Sequence, residues 1–210
     1  MARVILVRHG QTEWNREERF RGQIDVPLND TGHWQAEQAA RAIKRKYSVS
    51  AIYSSPLSRA LRTAEAIGHA VGVPAQPLSG VTEFNYGGWE GKTPAEVAVT
   101  YPDLYRLWLT QPHMAQIPGG EGVTRFRQRV AAAVEGILAD QPAGDVVLVA
   151  HRMVGRALAC HLLGLSDVCV PRLELNTGSI SVFEKTDEGW VTMLLNETCH
   201  LEADPVTSAP

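Results

Sequence analysis

Cysteine is scarce: Cys160, Cys169 and Cys199 are the only three in 210 residues. An odd number without metal-ligand spacing points to neither a disulfide framework nor a structural zinc site, and fits unpaired thiols in a reducing cytosol. Long apolar runs are missing too, none approaching the roughly 20 residues needed to cross a bilayer, so no membrane association is expected. The chain enters an apolar strand at once, which leaves no room for a signal peptide and makes a cytoplasmic location the expectation. There is no excess of basic charge: Lys and Arg total 20 against 23 Asp and Glu, a net charge of −3. The cluster from Arg41 to Tyr47 reads as the solvated end of a helix, so no nucleic-acid partner is expected. Repeats and low-complexity tracts are also lacking. Asn196-Glu197-Thr198 matches a glycosylation sequon, but a cytosolic chain would not meet the enzyme that reads it.

What is present is ordinary for a globular domain, 44% hydrophobic and 20% charged residues. The length suits one sizeable core, and we read residues 1–202 as a single domain and 203–210 as a loose tail. Val4-Ile5-Leu6-Val7 is a β-branched run with no internal charge, the pattern of a strand buried on both faces of a parallel sheet. Arg8, His9 and Gly10 follow it, the glycine permitting a turn that a side chain would forbid. A second run, Ala51-Ile52-Tyr53, leads into Ser54-Ser55-Pro56-Leu57-Ser58-Arg59. Ser55 before Pro56 reads as an N-cap followed by proline at the first helical position, which puts Arg59 in the first turns of a helix from Pro56 to about Ala70. A third run, Val146 to Ala150, ends at His151-Arg152. In open α/β sheets, ligands meet the chain beyond the carboxyl ends of the strands. If the three strands are neighbours, two arginines, two histidines and a helix N-terminus share one sheet edge. Such a set suits an anion, phosphate in particular.

The remaining pattern fills out a fold. Thr31 can cap a helix with apolar positions Ala36, Ala39, Ala40, Ile43 and Tyr47. Residues 14–27 read as polar and irregular, and Arg16, Arg19 and Arg21 within them stand close enough to the expected site to draw in an anion. The stretch from Gly72 to Gly91 reads as loop and carries Glu83. Gly91-Lys92-Thr93 imitates the end of a P-loop, but Tyr86 stands where that motif needs glycine, so nucleotide binding is rejected. Thr93-Pro94-Ala95-Glu96 has the form of a capping box. Leu104 to Leu109 is helical in character, and the loop from Gln111 to Gly122 is placed to cover the site. A long amphipathic helix runs from Val123 to Leu138 and ends at Asp140-Gln141-Pro142; another covers residues 153–163. Runs at 179–183 and 191–195, separated by Thr186 to Gly189, predict an antiparallel hairpin at the sheet edge. The fold class is therefore α/β, a single domain with a mostly parallel central sheet flanked by helices.

Four segments together carry a resemblance: RHGQT at Arg8 to Thr12, SSPLSRALRTA at Ser54 to Ala64, EFNYGGWEG at Glu83 to Gly91 and VAHRMVGRAL at Val149 to Leu158. In this order, across residues 3–160, they resemble the histidine phosphatase superfamily, which contains the cofactor-dependent phosphoglycerate mutases. The resemblance implies a phosphoglycerate mutase-like fold. It makes His9 the nucleophile that becomes phosphohistidine, has Arg8, Arg59 and His151 hold the phosphoryl group, and casts Glu83 as proton donor. Asn15 and Gln23 match positions that help bind phosphate. The chain also departs from the pattern. Glu121-Gly122 replaces a Glu-Ser pair, and Arg152 and Met153 replace two glycines, which should alter substrate choice more than phosphoryl chemistry. WLTQPHMAQIPGGEG at Trp108 to Gly122 and LNETCHLE at Leu195 to Glu202 are similar to segments of metal-independent phosphoserine phosphatases. Tyr86 stands where such enzymes would have a histidine that helps recognise the amino-acid portion of serine. Tyr86, Arg152 and Met153 are accordingly the expected specificity residues.

The chemistry that this set permits is transfer of a phosphoryl group to a neutral His9 imidazole and then to water, two easier steps in place of one hard one. Arg8, Arg59 and a protonated His151 would supply the positive charge that the transition state needs without a metal, and no cofactor is expected. Glu83 would have to be protonated before it could give a proton to the leaving oxygen. His9, His151 and Glu83 also compose a two-histidine, one-carboxylate metal set, but arginines beside them would repel the cation. A mutase and a non-catalytic binding protein stay open as well. Mutases of the family carry a longer segment between the positions of Glu83 and His151, which favours a phosphatase here. A non-catalytic phospho-ligand-binding protein would need the arginines but not the proton donor. The expected partner is a small phosphorylated metabolite, with phosphoserine, sugar phosphates and α-ribazole phosphate all open, and exposed apolar sheet edges would support a homodimer.

Overall fold

In the computed structural model, residues 3–139 and 144–202 are described. Six strands form one sheet: β1 (Arg3–Arg8), β2 (Val49–Ser54), β3 (Ala75–Pro77), β4 (Asp145–Ala150), β5 (Ile180–Thr186) and β6 (Gly189–Glu197), in the order β3-β2-β4-β1-β5-β6. The strands β3, β2, β4 and β1 pair in parallel; β5 runs antiparallel to both β1 and β6. The three strands whose ends carry the expected site are thus adjacent, β2-β4-β1, with Arg8 opposite Ala150 and Ser54 opposite Val149.

Among the described residues seven α-helices flank this sheet: α1 (Glu13–Arg16), α2 (Asp30–Lys46), α3 (Ser58–Val71), α4 (Pro94–Thr100), α5 (Pro102–Thr110), α6 (Val123–Ala139) and α7 (Arg152–Leu162). Alternation along the strands feeds two cores. Val4, Leu6, Leu148 and Ala150 pack with Val130 and Val134 of α6 and Val154 and Leu158 of α7. Ile5, Val7, Val147 and Val149 pack on the opposite face with Ala39 and Ile43 of α2 and Ala60, Ala64 and Ile67 of α3. Each fully buried aliphatic side chain contributes about 1.5–3 kcal/mol of transfer free energy, so β1 and β4 are the most firmly fixed elements, and their ends hold the site rigidly.

Local details differ from the sequence reading. Helix α2 is capped by Asn29, whose side chain accepts from Gly32 N, rather than by Thr31. Helix α3 starts at Ser58 with no side-chain cap, because the Ser55 hydroxyl has another partner. Within the stretch read as irregular, Thr12 and Asn15 make a capping box that closes the four-residue helix α1. The stretch read as loop contains β3, three residues that end in proline and carry no β-forming run. Helix α7 begins one residue early, at Arg152. The hairpin, the capping box at Thr93 and the long helix α6 follow the expectation. The expected helix end at Asp140 to Pro142 and the expected tail at 203–210 lie outside the described residues. Among the described residues no helix is long and apolar enough to cross a membrane.

Candidate active site

His9 leaves the end of β1 and is held from two sides. Its backbone N–H donates to the Ala150 carbonyl at 3.0 Å, and its Nδ1 lies 2.7 Å from the Gly10 carbonyl oxygen. A carbonyl can only accept, so Nδ1 carries the proton and Nε2 keeps its lone pair. Burial, then the neighbouring His151 and the charges of Arg59 and Arg8, hold the His9 pKa well below the usual histidine range. The ring is therefore neutral at ordinary pH. Gly10 is needed here for a reason other than turning: its φ is not positive, but a Cβ at this position would stand 2.2 Å from the Gly32 carbonyl oxygen. Its N–H donates to Thr63 Oγ1 of α3 at 3.2 Å, tying the loop after β1 to that helix.

His151 occupies the N-cap position of α7, with its ring 5.1 Å from that of His9 at 62°. Its Nε2 is 2.7 Å from Ser55 Oγ. The Ser55 hydroxyl already accepts from Leu57 N at 3.3 Å, so its own proton is free to be donated to Nε2. That bond leaves the proton of a neutral His151 on Nδ1, a buried atom without a partner among the described residues. Burial, then Arg59, Arg21 and Arg8, push the His151 pKa well down. A neutral His151 donates from Nδ1 when the Ser55 hydroxyl donates to Nε2; the protonated His151 expected from sequence belongs to the transition state, where phosphoryl oxygens would offset the surrounding cations.

Arg8 and Arg59 are both buried, at 6% and 0% exposure. Arg8 donates through Nη1 to the Leu175 carbonyl oxygen, and Arg59 donates to the carbonyls of Ile24 and Gly22 at 2.9 and 2.8 Å. The Nε atom of each has no partner among the described residues. Burial lowers the pKa of both, with Arg152 and Arg21 adding to the effect at Arg8. Gly22 shapes the loop that Arg59 grips: it stands at φ 51°, and a Cβ would fall 1.9 Å from Glu90 Oε1.

Glu83 is buried, with Oε1 accepting from Phe84 N at 2.8 Å and Oε2 from Met153 N at 3.4 Å. Those bonds fix its orientation and link it to the first turn of α7. It faces a small void whose walls include Arg21, Gly22, Tyr86 and Arg152. Beyond that wall opens a cavity of about 800 Å³, lined by Arg8, Asn15, Arg21, Tyr86, Arg152 and Met153 among others. His9, Arg59, His151 and Glu83 do not line this larger cavity; it reaches their neighbour Arg8 and the residues in front of them. Tyr86 is buried against Phe20, Phe84 and Trp108, and burial, followed by Glu83, pushes its pKa up to about 12, so it acts as a neutral phenol.

The two weaker candidates separate. The Asn15 side-chain oxygen accepts from Thr12 N and Thr12 Oγ1 at 3.0 and 2.9 Å, which leaves only its amide nitrogen for a ligand in the cavity it lines. Gln23 is exposed and does not line the cavity; its Nε2 donates to the Glu83 carbonyl at 3.1 Å, so it braces the Glu83 backbone. Ser55 and Thr63 are the site residues that the sequence reading missed. Among the described residues no three His, Cys, Asp or Glu side chains are grouped to hold a metal ion.

A family model described as the histidine phosphatase superfamily (branch 1) matches residues 4–198. Phosphoserine phosphatase 1 of Hydrogenobacter thermophilus is 33% identical over 201 residues, which cover 96% of this chain and 95% of the relative. A probable phosphoglycerate mutase GpmB of Salmonella choleraesuis is 33% identical over 208 residues, covering 97% and 96%. The structure of a mutant phosphoserine phosphatase from Entamoeba histolytica, in complex with phosphoserine, superposes with a TM-score of 0.85 at 28% identity and covers 96% of this chain and 100% of that one.

Proposed function

This chain belongs to the histidine phosphatase superfamily (branch 1), and from that membership we propose that it is a metal-independent phosphomonoesterase working through a phosphohistidine at His9 on a small phosphorylated metabolite. One observation carries the reading. Around a neutral His9 whose Nε2 keeps its lone pair, Arg8 Nε, Arg59 Nε and His151 Nδ1 are three buried nitrogens without partners among the described residues. Buried polar groups are normally bonded, so three orphans around one nucleophile fit phosphoryl oxygens. Glu83, held by two backbone N–H groups, is the proton donor to the leaving oxygen in the first step and the base that activates water in the second. Asn15 contributes its amide nitrogen to phosphate binding.

Hydrolysis of para-nitrophenyl phosphate by the parent and by the His9→Ala protein tests this reading. Loss of at least about a hundredfold in the variant is expected; equal rates would sink the histidine mechanism and leave a phospho-ligand-binding protein. The name of the Salmonella relative keeps one second reading, a mutase that returns the group to another oxygen. Assay of phosphoglycerate interconversion alongside phosphate release separates the two. Phosphoserine is a candidate substrate on the names of the Hydrogenobacter and Entamoeba relatives, and Tyr86, Arg152 and Met153, on the wall between cavity and site, govern the choice. A homodimer is part of the proposal: Val191, Met193 and Leu195 alternate on edge strand β6 and are exposed. Sedimentation equilibrium showing only monomer would contradict it.

A further inference from the structure

We propose that Arg21, Arg152 and Arg156 form a second anion subsite, in front of the phosphoryl site, that selects phosphomonoesters carrying a further carboxylate or phosphate group. The inference rests on the phosphatase reading above and names the substrate class for that same site. All three arginines line the large cavity; Arg21 also lies close enough to lower the pKa of His9 and His151, whereas Arg152 and Arg156 stand apart from the set around His9.

Their placement breaks local rules. Arg152 is the first residue of α7, where the positive end of the helix dipole disfavours a cation. Arg156 lies four residues on, so two like charges share one helix face. Carboxylates relieve this only in part: buried Glu83 acts on Arg21 and Arg156, and Glu174 on Arg156. Among the described residues the Arg152 side chain has no hydrogen bond and no carboxylate within 4.0 Å. Arg21 bonds only to the backbone carbonyls of Trp14 and Arg19, at 3.1 and 3.3 Å. Burial and then the charge of Arg152 lower the Arg21 pKa to about 10. Arg156 donates to the Leu173 carbonyl at 2.5 Å and pairs with Glu174 at 3.2 Å, but that carboxylate is 61% exposed. The carboxylates that line the cavity, Glu18 and Glu202, are also exposed. Five arginines, Arg8, Arg19, Arg21, Arg152 and Arg156, thus line the cavity against two exposed carboxylates; an anion relieves that excess, and guanidinium forks suit carboxylate and phosphate alike. Departures from local rule of this kind concentrate at functional sites. An ammonium beside the second anion would be repelled, so 3-phosphoglycerate should bind better than phosphoserine.

Titration calorimetry on the His9→Ala protein reads this without turnover. Glycerol 3-phosphate against 3-phosphoglycerate tests the carboxylate, and fructose 6-phosphate against fructose 1,6-bisphosphate tests the phosphate. In at least one pair the compound with the second anion should bind roughly tenfold more tightly, and Arg152→Gln or Arg156→Gln should cut that ratio to about threefold or less. Because each ratio is taken within one protein, losses from imperfect folding cancel; competitive inhibition of the parent gives the same ratios should His9→Ala bind too weakly to titrate. A preference in only one pair names the group. Equal affinities in both pairs, or ratios that neither substitution changes, would overturn the subsite. Turnover of the same compounds by the parent is scored separately: a binding preference without phosphate release would defeat the phosphatase reading and leave the subsite standing.

Discussion

In the proposed mechanism a histidine that attacks phosphorus must keep its proton on the nitrogen that does not attack, and the Gly10 carbonyl accepts a hydrogen bond from His9 Nδ1 that holds the proton there. Since burial and the surrounding cations depress the His9 pKa, the neutral nucleophile persists as pH falls through about 6.5, the ordinary histidine value. The acid limb of kcat/KM, corrected for ionisation of the substrate, should therefore lie well below that value. A limb centred at or above it would contradict the assignment. At Glu83 the expected result depends on the leaving group. Glu83→Gln should slow hydrolysis of an alkyl phosphate by about 10²–10⁴-fold, the usual worth of a positioned proton donor, and slow nitrophenyl phosphate far less. Equal slowing of both would give Glu83 another role. Arg8, His9, Arg59 and His151 were legible because each follows a short apolar run, and the ends of such runs are where sheet sites lie. Ser55 was not. Ser before Pro is a general capping signal, whereas the partner that claims its hydroxyl, His151, stands 96 positions away. For Gln23, motif matching gives its place in the chain but not the direction of its amide, which turns to the Glu83 backbone.

At the scale of elements, the site exists because β2, β4 and β1 are neighbours and end at one edge. Hydrophobic period gave the strands and long helices, since both sheet faces are covered and the runs are unbroken. It could not give strand order, or the three-residue β3, whose residues Ala75, Gln76 and Pro77 carry no β signal. A tight backbone-to-backbone joint is the loop after β1, where Gly10 packs on Gly32. Gly10→Ala places a methyl group against backbone that cannot move like a side chain, and should destabilise the fold by about 1–3 kcal/mol. The thermal midpoint would fall by about 2–4 °C for each of those kcal/mol in a chain of this size. An unchanged midpoint with unchanged activity would show that this loop yields more readily than its geometry indicates. At α7 only the fold brings Arg21 to face the same cavity as Arg152 and Arg156.

For the whole molecule, the proposed mechanism draws its positive charge from arginine rather than from a metal, and this sets the expected response to chelators. Activity should be unaffected by EDTA; loss of activity that a divalent ion restores would contradict metal independence. Tyr86, Arg152 and Met153 line the cavity of about 800 Å³, and in the proposed function they select the substrate. The central claim is the covalent intermediate. Parent protein should be quenched in alkali during turnover, where phosphohistidine survives and phosphoserine esters do not, then digested and examined by mass spectrometry. One phosphoryl group is expected on the peptide containing His9, and none on the His9→Ala protein. A turning-over enzyme that carries no phosphoryl group there, or carries it on another residue, would contradict the phosphohistidine mechanism.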